Sequence, residues 1–265
     1  MSVTVSGSER IAEAFESARA DGRRAALMPY LMAGFPDLER SRAIARAYVA
    51  GGADLIELGV PFSDPLADGP VIHAADVTAL AAGVRVEDAL GVAREVSDQV
   101  PVVVMAYTNV ILARGIDRFA DTLVAVGASG LIVPDLPLEE APATLAVLDA
   151  RGLALVPLVA PTTPDERLAQ IGARARGFVY TVSVTGTTGE REVNDSGLPG
   201  ILARARAHTD VPVAVGFGIG TPAQAAAAAR AGAAGVIVGT RLVRAAAEGE
   251  NVRELVAEFA AALAA

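Results

Sequence analysis

Eight short apolar runs, each followed by a longer amphipathic stretch, predict an α/β fold closed as a parallel (β/α)8 barrel of the TIM type. Three observations carry this reading. The strand segments, residues 25–33, 54–60, 100–107, 130–133, 154–159, 178–183, 211–216 and 235–239, are rich in Val, Leu and Ile. They lack the period-2 polarity of a strand with one wet face, as expected of strands buried on both faces. Spread over 265 residues, eight units take about 33 residues each, which suits a barrel of ~250 residues. No linker or charge block divides the chain, so residues 1–265 are expected to form a single barrel domain. Helices are expected over 38–50, 87–97, 116–126, 138–150, 164–173, 200–207, 221–231 and 252–263, with an extra N-terminal helix over 9–20. Thr163-Pro164 and Thr221-Pro222 place a capping hydroxyl before a first-turn proline, and Gly51, Gly127, Gly152 and Gly232 mark helix ends. An open doubly wound sheet is the competing architecture.

Composition narrows the chemistry. A net charge of −9 argues against a nucleic-acid or anionic-membrane surface. The longer apolar runs, such as 153–160, are far shorter than the ~20 residues a spanning helix needs. Glu9 and Arg10 stand where a signal peptide would carry its apolar segment, so a soluble, cytoplasmic protein is expected. There is no cysteine, hence no disulfide, thiolate metal site or cysteine nucleophile. All 22 Lys+Arg residues are arginine. Without a lysine no side-chain amine can form a Schiff base, which excludes pyridoxal phosphate attachment and imine-type aldolase chemistry. Two histidines, His73 and His208, argue against a multi-histidine metal site.

If the fold is a barrel, chemistry belongs at the C-terminal ends of the strands. Three late loops there are rich in Gly and Thr: 184–189, 216–220, and 238–240, the last opening a short helix around 241–246. Phosphate commonly binds at such loops, where glycine lets backbone N–H groups approach and a helix dipole favours the charge. Read singly, each loop is also compatible with a simple turn.

Glu57 is an ionisable group inside an otherwise apolar strand segment. Burial of a carboxylate is costly unless it is paired or protonated, and it raises the pKa toward neutrality. A structural ion pair with an arginine is the alternative. The following loop carries Asp64 and Asp68 among Pro61, Pro65, Gly69 and Pro70, which fix where the two carboxyls point. A second carboxylate near Glu57 in a more polar setting would separate their pKa values, as two-step proton chemistry requires. Asp64 can equally serve as a cap or face a partner. Asp135 is a further candidate. Tyr107, Asn109 and Tyr180 also fall at strand ends, and the tyrosines suit either a pocket for a flat substrate or the core. His73 is expected to cap or pack, and His208 to be exposed.

The run from Glu57 to Pro70 closely resembles the signature of the tryptophan synthase α subunit family. The likeness extends through 29–36, 105–109, 134–137, 178–189, 216–219 and 235–240, essentially the whole chain. It implies retro-aldol cleavage of indole-3-glycerol phosphate to indole and glyceraldehyde 3-phosphate. The indole would pass to a β subunit in an αββα heterotetramer. By position Glu57 resembles the general acid–base residue, and Asp68 the carboxylate that binds the indole N–H. Tyr107, Tyr180, Met105 and Leu27 match pocket walls. Gly189, Phe217, Gly218, Gly239 and Thr240 match the phosphate end, where Ser is more usual than Thr240. Thr188 matches a loop residue that closes over the site, and Asp64 one that faces the β subunit. No cofactor is implied, pyridoxal phosphate belonging to the β subunit. Val184 departs from members that carry Arg there, which puts the loop's closure contacts in question. A free-standing indole-producing lyase, a catalytically idle activator of β and a sugar-phosphate isomerase or epimerase are the competing functions.

Overall fold

The computed structural model describes residues 5–182, 197–216 and 218–264. Its strands are β1 (Ala26–Met32), β2 (Ile56–Gly59), β3 (Val102–Met105), β4 (Gly130–Ile132), β5 (Ala154–Val156), β6 (Leu158–Val159), β7 (Val179–Val182), β8 (Val213–Gly216) and β9 (Gly235–Val238). Every pairing between them is parallel, in the order β5-β4-β3-β2-β1-β9-β8-β7-β6. The two ends of that order are neighbours in the chain. Only Pro157 separates β5 from β6, so the ring is closed by the chain itself. The expected strand 154–159 is thus broken in the middle. Proline has no N–H to give to a ladder, and its carbonyl accepts from the Tyr180 N–H at 2.9 Å.

Alternation along the strands sorts side chains into two layers. Along β1, Leu27 and Leu31 pack outward with Val102 and Val104 beneath the helices. Met28, Tyr30 and Met32 point inward with Leu55, Val103, Met105, Ile132, Tyr180 and Ile237. Two glycines make the upper interior wide enough for tyrosine. A Cβ on Gly59 would lie 2.1 Å from the Tyr30 hydroxyl, and one on Gly216 would lie 2.3 Å from that of Tyr180.

The helices are α1 (Gly7–Ala20), α2 (Leu38–Ala50), α3 (Pro70–Ala81), α4 (Val86–Ala93), α5 (Thr108–Leu112), α6 (Ile116–Ala125), α7 (Ala141–Asp149), α8 (Asp165–Gly172), α9 (Leu198–Arg206), α10 (Pro222–Arg230), α11 (Thr240–Glu248) and α12 (Val252–Leu263). α1 is the expected extra helix. Ser6 and Glu9 form its capping box, and its Ile11 and Phe15 join the interior, Phe15 lying 6.0 Å from Phe178. Thr221 caps α10 as expected. Thr163 does not cap α8; its hydroxyl accepts from the Ala160 N–H. Helices α3 and α5 fall outside the expected set. Pro70 stands at the start of α3, so the proline that stiffens the loop also begins a helix.

Candidate active site

Glu57 projects inward from β2, opposite Tyr30 of β1 in the register, and is 2% exposed. No arginine pairs with it among the described residues, and its Oε2 is buried without a partner there. A structural ion pair therefore does not explain it. Burial, reinforced by the nearby Asp68 charge, pushes its carboxyl up to about 8.

Asp68 sits in the loop that leaves β2 and enters α3. The Tyr107 hydroxyl donates to its Oδ2 at 2.9 Å and accepts from the Ala67 N–H at 3.1 Å. The Tyr107 ring stacks on Phe62, with centroids 5.1 Å apart and planes at 27°. Burial raises Asp68 to about 6, a rise restrained by the Tyr107 hydrogen bond and the nearby His73. The two carboxyls thus straddle neutrality from opposite sides.

Gly218, Gly239 and Thr240 line the same cavity as Glu57 and Asp68, together with Met105, Tyr180, Ile72, Ile219, Ile237 and Tyr30. Gly218 has φ +79°, a conformation that favours glycine. Gly239 stands at the start of α11, which has no side-chain cap, so the first-turn N–H groups and the positive end of the helix face an anion's approach. Thr188, Gly189, Val184 and Phe217 lie outside the described residues.

Other expected residues are placed differently. Leu27 packs in the outer layer, and the β1 residue at the cavity is Tyr30, three positions on. Tyr107 is 2% exposed and braces the loop instead of lining the cavity. Asp135 accepts from the Thr108 N–H and hydroxyl, which fixes the start of α5 beside Asn109. Asp64 is exposed on the loop, His73 is exposed on α3, and His208 is half-buried instead of exposed. Two buried groups that interact with Asp68, Tyr30 and Asp76, were not expected from the sequence. Asp76 is 1% exposed and accepts from the Phe62 N–H at 3.0 Å. A signal was present: a lone acid stands among the small and apolar residues of α3.

A parallel barrel with desolvated carboxyls at the C-terminal mouth is the frame of an acid–base barrel enzyme. The tryptophan synthase alpha chain family matches residues 15–264. The chain is 48% identical over 241 residues to the tryptophan synthase alpha chain of Rippkaea orientalis, covering 90% of each. It superposes on a chain of Mycobacterium tuberculosis tryptophan synthase with a TM-score of 0.91 at 43% identity, over 99% of this chain and 100% of that one. With the Legionella pneumophila tryptophan synthase alpha chain the TM-score is 0.84 at 34% identity, over 96% and 97%. The chain belongs to the tryptophan synthase alpha chain family.

Proposed function

We propose that Glu57 and Asp68 divide between them the chemistry of this chain's reaction, the cleavage of indole-3-glycerol phosphate as a lyase of tryptophan biosynthesis. The observation that carries the division is a buried carboxyl and a half-buried one on one cavity, raised to about 8 and about 6. Near pH 7 Glu57 is largely protonated and Asp68 largely ionised, so an acid and an anion coexist in one low-dielectric site.

Glu57 gives its proton to indole C3, which places positive charge on the ring nitrogen as an indolenine. Asp68 accepts the ring N–H and stabilises that charge. The Glu57 carboxylate then takes the proton from the glycerol hydroxyl next to the ring. The bond between C3 and the glycerol carbon breaks, and its electrons return to the ring. Indole and glyceraldehyde 3-phosphate leave, and Glu57 is protonated again. The ring is the electron sink, so the step needs neither lysine nor metal. Met105, Tyr180, Ile72 and Ile237 offer apolar walls to the indole, and Gly218, Gly239 and Thr240 a backbone cradle to the phosphate.

The partner in this reading is a tryptophan synthase β subunit in an αββα assembly, which receives the indole and holds the pyridoxal phosphate. The exposure of Asp64 on this loop, two residues from a Leu66 that is 72% exposed, supports a partner-facing role for the loop. Indole release from indole-3-glycerol phosphate, assayed with and without β subunit, tests the whole reading. Release by the chain alone, raised by β with a shift to a larger species on gel filtration, is expected. Unchanged turnover and size would leave a free-standing lyase. Among the described residues no helix is long and apolar enough to cross a membrane.

A further inference from the structure

We propose that Asp76 is a positioning residue for Asp68, acting through Phe62 and Tyr107 to hold the catalytic loop at both of its ends. The inference rests on the role given to Asp68 above.

The loop leaves β2 at Val60 and enters α3 at Pro70. Asp76 lies almost two turns into α3 on its buried face, and its Oδ1 takes the Phe62 N–H at 3.0 Å. That bond ties the loop's first residues to the helix that follows its last. Phe62, so fixed, lays its ring on Tyr107 at 5.1 Å. Tyr107 in turn holds the far end, accepting from the Ala67 N–H and donating to Asp68 Oδ2. Asp76 is thus linked to the proposed indole-binding carboxylate by one hydrogen bond, one ring stack and one further hydrogen bond.

The tie needs only an oxygen that accepts the Phe62 N–H, which a side-chain amide supplies as a carboxylate does. The Oδ2 of Asp76 is buried without a partner among the described residues. Burial and the Asp68 charge raise this carboxyl to about 7. Among the described residues, the titratable groups that interact electrostatically with Asp68 are Glu57 on β2, Tyr30 on β1, Tyr107 after β3, Tyr180 on β7, and His73 and Asp76 on α3. Of these, Tyr107 and His73 lower its pKa. If Phe62 is released, Tyr107 loses its backing and Asp68 loses a hydrogen bond that favours its charged form.

The test is the steady-state pH profile of indole release by full-length D76L, D76N, Y107F and D68N. D76L is expected to lower kcat by roughly 10–10²-fold with KM little changed, the scale on which small misplacements act. Its acidic limb should move to higher pH, in the same direction as that of Y107F. D76N keeps an oxygen for the Phe62 N–H and should restore the limb and most of kcat. A D76L protein with wild-type kcat and limb overturns the proposal, as does a D76N protein as impaired as D76L. Should D76L not fold, F62L removes the stacked ring while leaving the N–H bond, and an unmoved acidic limb in F62L is equally decisive against it. Near-normal turnover by D68N would instead remove the role of Asp68 on which the inference rests.

Discussion

At the β2–α3 side of the cavity stand Glu57 and Asp68, with Asp76 tied to the Phe62 N–H outside its lining, each carboxyl raised by burial. At the β8–β9 side stand glycines and the start of a helix. The first side is reactive because its groups would be more stable in water and are denied it. The second, in the proposed reading, would meet an anion with backbone dipoles that need no desolvated charge of their own. The proposed substrate, a flat apolar ring at one end and a dianion at the other, would span the two. Damage to the first side should therefore appear in kcat, and damage to the second in KM.

The sharpest way to break that contrast is E57Q. It is expected to lose ~10²–10⁴-fold in kcat with KM nearly unchanged, measured by indole release. Near-normal turnover would refute the acid–base assignment. D68N keeps the shape but not the charge and should lose about 10²-fold, also in kcat. On the other side, G239A meets only ordinary contacts, Ile72 and Tyr30 atoms at 3.8 Å, so the fold should persist. Its methyl group would stand at the start of α11, where the proposed phosphate site lies. KM should rise about tenfold with kcat held, and a kcat defect without a KM change would dissolve the distinction between the two sides.

The pH dependence sharpens it further. With the roles proposed above, cleavage would need Asp68 ionised and Glu57 protonated, so kcat/KM should be bell-shaped, falling below about 6 and above about 8. G239A should keep that bell and E57Q should lose its alkaline side. The smallest expected effect is on stability. Glu57 is raised from 4.5 to about 8, so the folded state binds its proton more tightly than the unfolded chain does. The stability this confers is complete below about 4.5 and is lost as pH rises through about 8. Thermal melts of E57Q across that window should show a shallower alkaline decline than wild type.

Much of this was legible in the sequence, for identifiable reasons. A polar residue in an apolar strand is conspicuous, so Glu57 could be found from one segment. The helices α2 and α12 were bounded to the residue, because amphipathic periodicity and flanking signals agree there. β1 was harder. All seven of its residues are buried, so no polar face reveals which ones look inward, and Leu27 stood in for Tyr30. α3 was hidden because its small and apolar residues are spread around the helix, which also obscured Asp76. Tyr107 was visible as a residue at a strand end, but its task depends on a hydrogen bond to a loop 39 residues away, which no local pattern encodes.

The single residue between β5 and β6 has a mechanical consequence. Around the barrel's girth every join is a ladder of hydrogen bonds except at Pro157, where the hoop is fastened by covalent chain. β1 is fifth in the order of nine, with four strands on either side before the seam is reached. That covalent fastening is the join farthest, by strand count, from the strand that carries Tyr30 and pairs with Glu57. Beside Glu57 the wall is held by hydrogen-bonded ladders alone, β1 pairing with β2 on one flank and with β9 on the other.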